Sequence, residues 1–192
     1  LHNHTKKRVK LFSKFIPKEY TYYIFGYDPN WRPDETISSV TDDFAQIIKT
    51  EKLGAGAVLG MSFGGFVALT FATKYPELTE RLVMMIGAHS LSKNGVQLCT
   101  TLRDLAQEGN LLEMQLMFAQ RYDYKILNWL SKNATMLKWD KMKEKMNPIS
   151  CFINAYTDMI ETNGTRKVML KKVQVPTLVL GGTVDPFFSV KE

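Results

Sequence analysis

Ser62 is the residue on which chemistry could turn. It stands in Gly60-Met61-Ser62-Phe63-Gly64, between the apolar run Gly56-Ala57-Val58-Leu59 and the helix-like run Phe66-Val67-Ala68-Leu69-Thr70-Phe71-Ala72. A short buried strand, a sharp glycine-flanked turn with serine at its tip and an immediate helix form a nucleophile elbow. The residue types answer a steric demand. So tight a turn strains the serine backbone, and side chains at positions 60 and 64 would clash with the chain passing on either side. The Ser62 hydroxyl is then free to attack a carbonyl carbon. The Phe63 N–H, opening the helix, points to where the oxyanion would form, and the neighbouring Met61 is a candidate substrate contact.

A triad acid is the next requirement. Asp185 follows the apolar run Val175-Pro176-Thr177-Leu178-Val179-Leu180 and the turn Gly181-Gly182-Thr183. It therefore lies just past the carboxyl end of a predicted strand, where catalytic groups collect in open α/β sheets. It also follows the serine in chain order, although an Asp before Pro186 serves equally as a turn former. Asp28, before Pro29, reads the same way. His89, just past a predicted strand, is a candidate pocket-lining or hinge residue. The glycines at 54, 56 and 60 have G-x-G-x-x-x-G spacing and begin ahead of the strand, so they do not make a dinucleotide-phosphate cradle.

The elements that must position these groups can be read in order. Val9, Phe12, Phe15 and Ile16 recur at helical spacing over about 5–16, and Tyr20–Phe25 is aromatic and β-branched enough for a strand. A helix runs from near Glu35 to Lys52 with Ile37, Val40, Phe44, Ile47 and Ile48 on one face. The elbow strand, the elbow helix closed by Tyr75-Pro76, and a buried strand over Arg81–Ile86 follow. From 88 to 163 no strand is evident. Leucine, methionine and aromatic residues there, among them Leu102, Met114, Ile126, Trp129, Leu130 and Met136, predict short helices punctuated at Asn94-Gly95, Gly109-Asn110 and Asn147-Pro148. These apolar residues read as internal packing, and the methionines and aromatics also suit an adaptable pocket.

At 192 residues and 45% hydrophobic content, the chain supports one core plus an insertion. The net charge of +6 is scattered, and the runs Lys6-Lys7-Arg8 and Lys171-Lys172 read as solvated faces, without the interleaved aromatics of a nucleic-acid surface. Cys99 and Cys151 lie far apart in helix-like segments, which suits packing in a reducing compartment and supports neither a metal site nor a disulfide framework. The tripeptides starting at Asn3, Asn133 and Asn163 are glycosylation sequons, relevant only if the chain is secreted. The cytoplasm is the expected location, and no apolar stretch approaches the roughly 20 residues of a membrane span.

The elbow, the Tyr75-Pro76-Glu77 segment before the next strand, the helical insertion and the 175–185 run together resemble the α/β-hydrolase family over most of the chain. The resemblance implies an α/β fold with a mostly parallel sheet, helices on both faces and a helical cap. It implies a core first part at 1–87, a cap at 88–163 and a returning strand and acid loop at 164–192. It makes Ser62 the nucleophile and Asp185 the residue that orients a histidine. It also places a second oxyanion donor in a His-Gly loop near or before Leu1-His2-Asn3-His4, and the histidine beyond a further strand after Asp185. By that pattern the sequence is truncated at both ends and nearly inactive alone.

The activity so implied is Ser-His-Asp hydrolysis of an ester or related acyl bond in a small, largely apolar substrate, with no metal or organic cofactor. Its rivals are a hydrolase-fold binding protein or receptor, and C–C hydrolysis, acyl transfer or peptidase action on the same triad. The oligomeric state and the substrate stay open.

Overall fold

Thr36 caps the helix that begins at Ile37. Its hydroxyl accepts from the Ser39 N–H while Ser39 Oγ accepts from the Thr36 N–H, a reciprocal capping box that satisfies two otherwise orphaned donors. The computed structural model describes residues 9–10, 13–14, 16–26, 32, 34–119, 124–183 and 185–188. In chain order its elements are α1 (Ile37–Thr50), β1 (Gly56–Met61), α2 (Phe63–Lys74) and, after a 3₁₀ turn at Pro76–Leu78, β2 (Thr79–Met85). The helices α3 (Lys93–Gln107), α4 (Leu111–Ala119), α5 (Lys125–Leu137), α6 (Trp139–Lys143), α7 (Ile149–Glu161) and α8 (Asn163–Lys172) follow, and then β3 (Thr177–Leu180).

The described strands make one sheet in the order β1-β2-β3, parallel throughout. Met61 pairs with Met85, and Met85 with Leu180, so the three carboxyl ends are level. That register brings the residue after β1, Ser62, and the loop after β3 to one edge. The expected fold class holds: a parallel sheet flanked by helices.

Helix α2 is buried from Gly65 to Ala72, as its all-round apolar sequence requires. One side packs on the sheet through Ala68, Leu69 and Ala72 against Leu82 and Met84, with Met169 and Leu170 of α8 closing the cluster. The other side joins Phe66 and Val67 to Ile37 and Val40 of α1, Cys99 of α3, and Cys151 and Met159 of α7. Both cysteines are buried and outside any disulfide, as packing residues should be. A separate cluster of Leu102, Ala106, Leu111 and Met114 joins α3 to α4.

Several expectations are corrected. Tyr20–Phe25 forms no strand: it pairs with no described ladder, Tyr20 and Tyr23 are exposed, and its contacts include the Phe25 ring against Phe44 of α1 at 5.0 Å and the Tyr22 hydroxyl donating to the Val9 carbonyl at 2.9 Å. Without a neighbouring strand, β-propensity alone does not make one. Of the helix expected over 5–16, one turn is described, with the Ser13 N–H donating to the Val9 carbonyl at 2.9 Å. Lys14 lies in a turn and Ile16 in a bend, and residues 5–8, 11, 12 and 15 lie outside the described residues, as do Asp28, His2 and His4. Strand β1 is only partly buried, because Leu59 and Met61 are exposed. Asn94-Gly95 does not break a helix but lies in the first turn of α3, behind the Ser92 cap. Helix α8 had no counterpart in the sequence reading.

The ends of the helical run between β2 and β3 are tied together. Asn163, opening α8, accepts from the Leu91 N–H at 2.7 Å and donates to the Leu91 carbonyl at 3.3 Å.

Candidate active site

Ser62 occupies φ 52°, ψ −122°, a backbone region that L-residues rarely adopt and that costs about 1–3 kcal/mol. The surroundings hold it there. Its N–H donates to the Met85 carbonyl at 2.9 Å, and its carbonyl accepts from the Gly65 N–H at 2.8 Å. Gly60 is obligatory, since a Cβ there would stand 2.0 Å from the Gly64 carbonyl oxygen and 2.7 Å from Ala68 Cβ. Gly87, past β2, also packs against the elbow: its Cβ would meet the Ser62 carbonyl oxygen at 3.4 Å. Ser62 is exposed and its hydroxyl makes no capping bond to α2. Phe63 is the first residue of α2.

Asp185 lies five positions beyond the end of β3. Its Oδ1 accepts from the N–H groups of Phe187 (2.9 Å) and Phe188 (3.2 Å), an Asx-type turn that fixes the carboxylate. The loop is anchored on both sides. The Phe188 ring lies 5.7 Å from the Phe66 ring, one turn into the elbow helix. The Phe187 carbonyl accepts from the Ser92 N–H at 2.9 Å and sits where a Gly95 Cβ would be, at 2.1 Å. The acid loop is thus wedged between the elbow helix and the first turn of α3.

Phe66 carries a second contact that sequence reasoning missed. The Arg166 guanidinium stacks over its ring at 4.2 Å. Arg166 is 1% exposed, donates to the carbonyls of Met159 (2.9 Å) and Asp158 (3.1 Å), and pairs with the Asp158 carboxylate at 3.7 Å. Burial lowers the Arg166 pKa to about 10 although Asp158 opposes it. Burial likewise pushes the Asp158 carboxyl up, against the pull of the Ile37 N–H at the start of α1 and of Arg166. One aromatic ring therefore joins the serine helix, the acid loop and a buried ion pair. An Arg on an otherwise polar stretch of α8 offers no periodicity that would have singled it out.

His89 lies two residues past Gly87, and its Nε2 is buried with no hydrogen-bond partner among the described residues. Burial, and then the Lys167 ammonium, press its pKa below the ordinary 6.5. Among the described residues no carboxylate acts on it, which is not the setting of a triad base. Met61, the last residue of β1, is exposed at the sheet edge that carries Ser62. Among the described residues no group of three or more His, Cys, Asp or Glu could hold a metal ion, and no helix is long and apolar enough to cross a membrane.

Residues 34–192 match the family model described as serine aminopeptidase, S33. No curated protein matches the chain. Among solved structures, the esterase from Exiguobacterium antarcticum is similar at 16% identity and TM-score 0.60, over 81% of this chain and 59% of that one. The enol-lactonase from Burkholderia xenovorans LB400 is similar at 16% identity and TM-score 0.59, covering 79% and 55%. A thermophilic esterase from Thermogutta terrifontis is similar at 22% identity and TM-score 0.56, covering 82% and 58%. The chain spans less than two thirds of the length of each.

Proposed function

Because the chain belongs to the serine aminopeptidase S33 family of α/β-hydrolases, we propose that the full protein is a serine hydrolase cleaving an ester or related acyl bond in a small, largely apolar substrate. The observation that carries this reading is the strained backbone of Ser62, since strain of this kind is retained at functional sites. The Ser62 oxygen attacks the carbonyl carbon, and the Phe63 N–H supports the developing oxyanion. Asp185 holds the tautomer of a histidine that takes the serine proton and returns it to the leaving group. The histidines of this sequence are at 2, 4 and 89, and none follows Asp185. The base is assigned to none of them. Met61 and His89 line the substrate side of the elbow, and the helices between β2 and β3 act as the cap.

The family's description favours a second reading, release of an N-terminal amino acid from a peptide by the same attack on an amide. The neighbours named as esterases and a lactonase favour the ester. The test is a fluorophosphonate probe on the full-length protein. Labelling that disappears in Ser62→Ala supports the nucleophile, and absence of labelling in a folded sample favours a binding protein instead. Parallel assays with aryl esters of different acyl length and aminoacyl amides then separate the two substrates.

A further inference from the structure

Helix α5 is built inside out. Its half-buried positions are Asn128, Ser131, Asn133 and Thr135, all polar. Its large apolar residues face water instead: Ile126 is 63% exposed, Trp129 60% and Leu137 87%, with Leu127, Leu130 and Met136 exposed beside them. At 100° per residue these side chains span about half the circumference of the helix. Asn133 is the polar interruption within that arc, and its amide donates one N–H to the Trp129 carbonyl at 2.7 Å. Burial of the opposite face against the protein is the ordinary arrangement for a surface helix, and α5 reverses it.

Charge identifies what covers this face. Between residues 125 and 145 there are six lysines and two carboxylates, Asp140 and Glu144. Lys125 and Lys132 are helical neighbours of Trp129 on one border of the arc, and Lys138, at the C-cap, falls on the other border at the far end of the helix. We propose that α5 is a docking helix for an anionic lipid surface, lying in the plane of the headgroups with Ile126, Leu130 and Leu137 directed toward the acyl chains. A half-circumference apolar arc bordered by lysines, with a tryptophan near the border, is the division an interfacial helix needs. A protein groove or a helical pair would use a narrower stripe. A second copy of this chain would bring like charges together around the patch. The inference is independent of the chemistry proposed at Ser62.

The experiment is flotation of the full protein with vesicles of phosphatidylcholine alone and of phosphatidylcholine with phosphatidylglycerol. Binding is expected only to the anionic vesicles and should weaken as salt is raised. Lys125→Gln and Lys132→Gln should each reduce partitioning about five-fold. The double variant Ile126→Ser/Leu130→Ser should abolish it with an unchanged circular dichroism spectrum, whereas Ser62→Ala should bind as the parent does. Equal binding to both vesicle types, or binding that survives Ile126→Ser/Leu130→Ser, overturns the proposal. So does a lack of vesicle binding, whether the protein then proves to be a dimer that Leu130→Ser dissociates or a partner of an acidic protein.

Discussion

Two helical glycines make opposite predictions from the same substitution. Ala is favoured over Gly in a helix by about 0.5–1 kcal/mol. At Gly164, in the first turn of α8, an added Cβ meets nothing within 4 Å, so Gly164→Ala should keep most of that gain. At Gly95, in the first turn of α3, the Cβ would lie 2.1 Å from the Phe187 carbonyl oxygen and 2.9 Å from its carbon. The obstacle is backbone, and it cannot step aside cheaply because the Ser92 N–H and the Asp185 carboxylate both hold Phe187. Overpacking costs about 1–3 kcal/mol, and a backbone clash lies at the upper end. The net effect of Gly95→Ala is then roughly 2 kcal/mol of destabilisation, about 3 kcal/mol below Gly164→Ala. For a chain of this size that separates the two melting temperatures by about 6–12 °C. Urea and thermal unfolding of the two variants beside the parent measure it. A Gly95→Ala protein as stable as the parent would refute the wedge, and with it the anchoring of the acid loop on α3.

Three further outcomes follow from the site. Both Ser62→Ala and Ser62→Gly should lose fluorophosphonate labelling, but Ser62→Gly should be about 1 kcal/mol the more stable because glycine tolerates φ 52°; equal urea midpoints would remove the strain argument. Arg166→Met should cost about 3 kcal/mol by leaving Asp158 buried without its partner, and adding Asp158→Asn should cost less than the sum of the two single changes in a denaturation cycle. The folded pKa of His89 lies below its unfolded 6.5, so the folded chain binds fewer protons. The stability that His89 contributes is present above pH 6.5 and is lost as the pH falls through its folded value. His89→Gln should flatten that part of a urea-midpoint profile, and an unchanged slope would show that His89 is not its source.

The elbow was legible because its constraints are local: Gly60, Ser62 and the flanking apolar runs are contiguous, and the clash at Gly60 follows from a turn only a few residues long. The position of Asp185 was legible through the sheet, since a residue just past a parallel strand falls at the edge where the elbow lies. Gly95 was misread because the glycine that normally punctuates a helix here makes room for a carbonyl 92 positions later. The Phe66 contacts with Phe188 and Arg166 were invisible for the same reason, as each depends on tertiary proximity without a pattern in the sequence. Tyr20–Phe25 had the composition of a strand but no described partner. The apolar residues of α5 carried a true helical period, and only the direction in which that period faces was wrong.

The clasp between Leu91 and Asn163 has a consequence for how this architecture can vary. An amide side chain can both accept from the N–H and donate to the C=O of one residue, which neither Asp nor Ser can do with the same reach. It closes an excursion of 72 residues at a single point, an ordering whose chain-entropy cost is about 4 kcal/mol and grows by only ~0.6 kcal/mol when the length doubles. The loops between the helices of this segment can therefore change length at small entropic cost, while Cys99, Cys151 and Met159, which pack on the elbow helix, have to be kept or replaced in kind. A graft joined at Leu91 and Asn163 keeps the sheet only if it brings its own apolar residues to cover Phe66 and Val67.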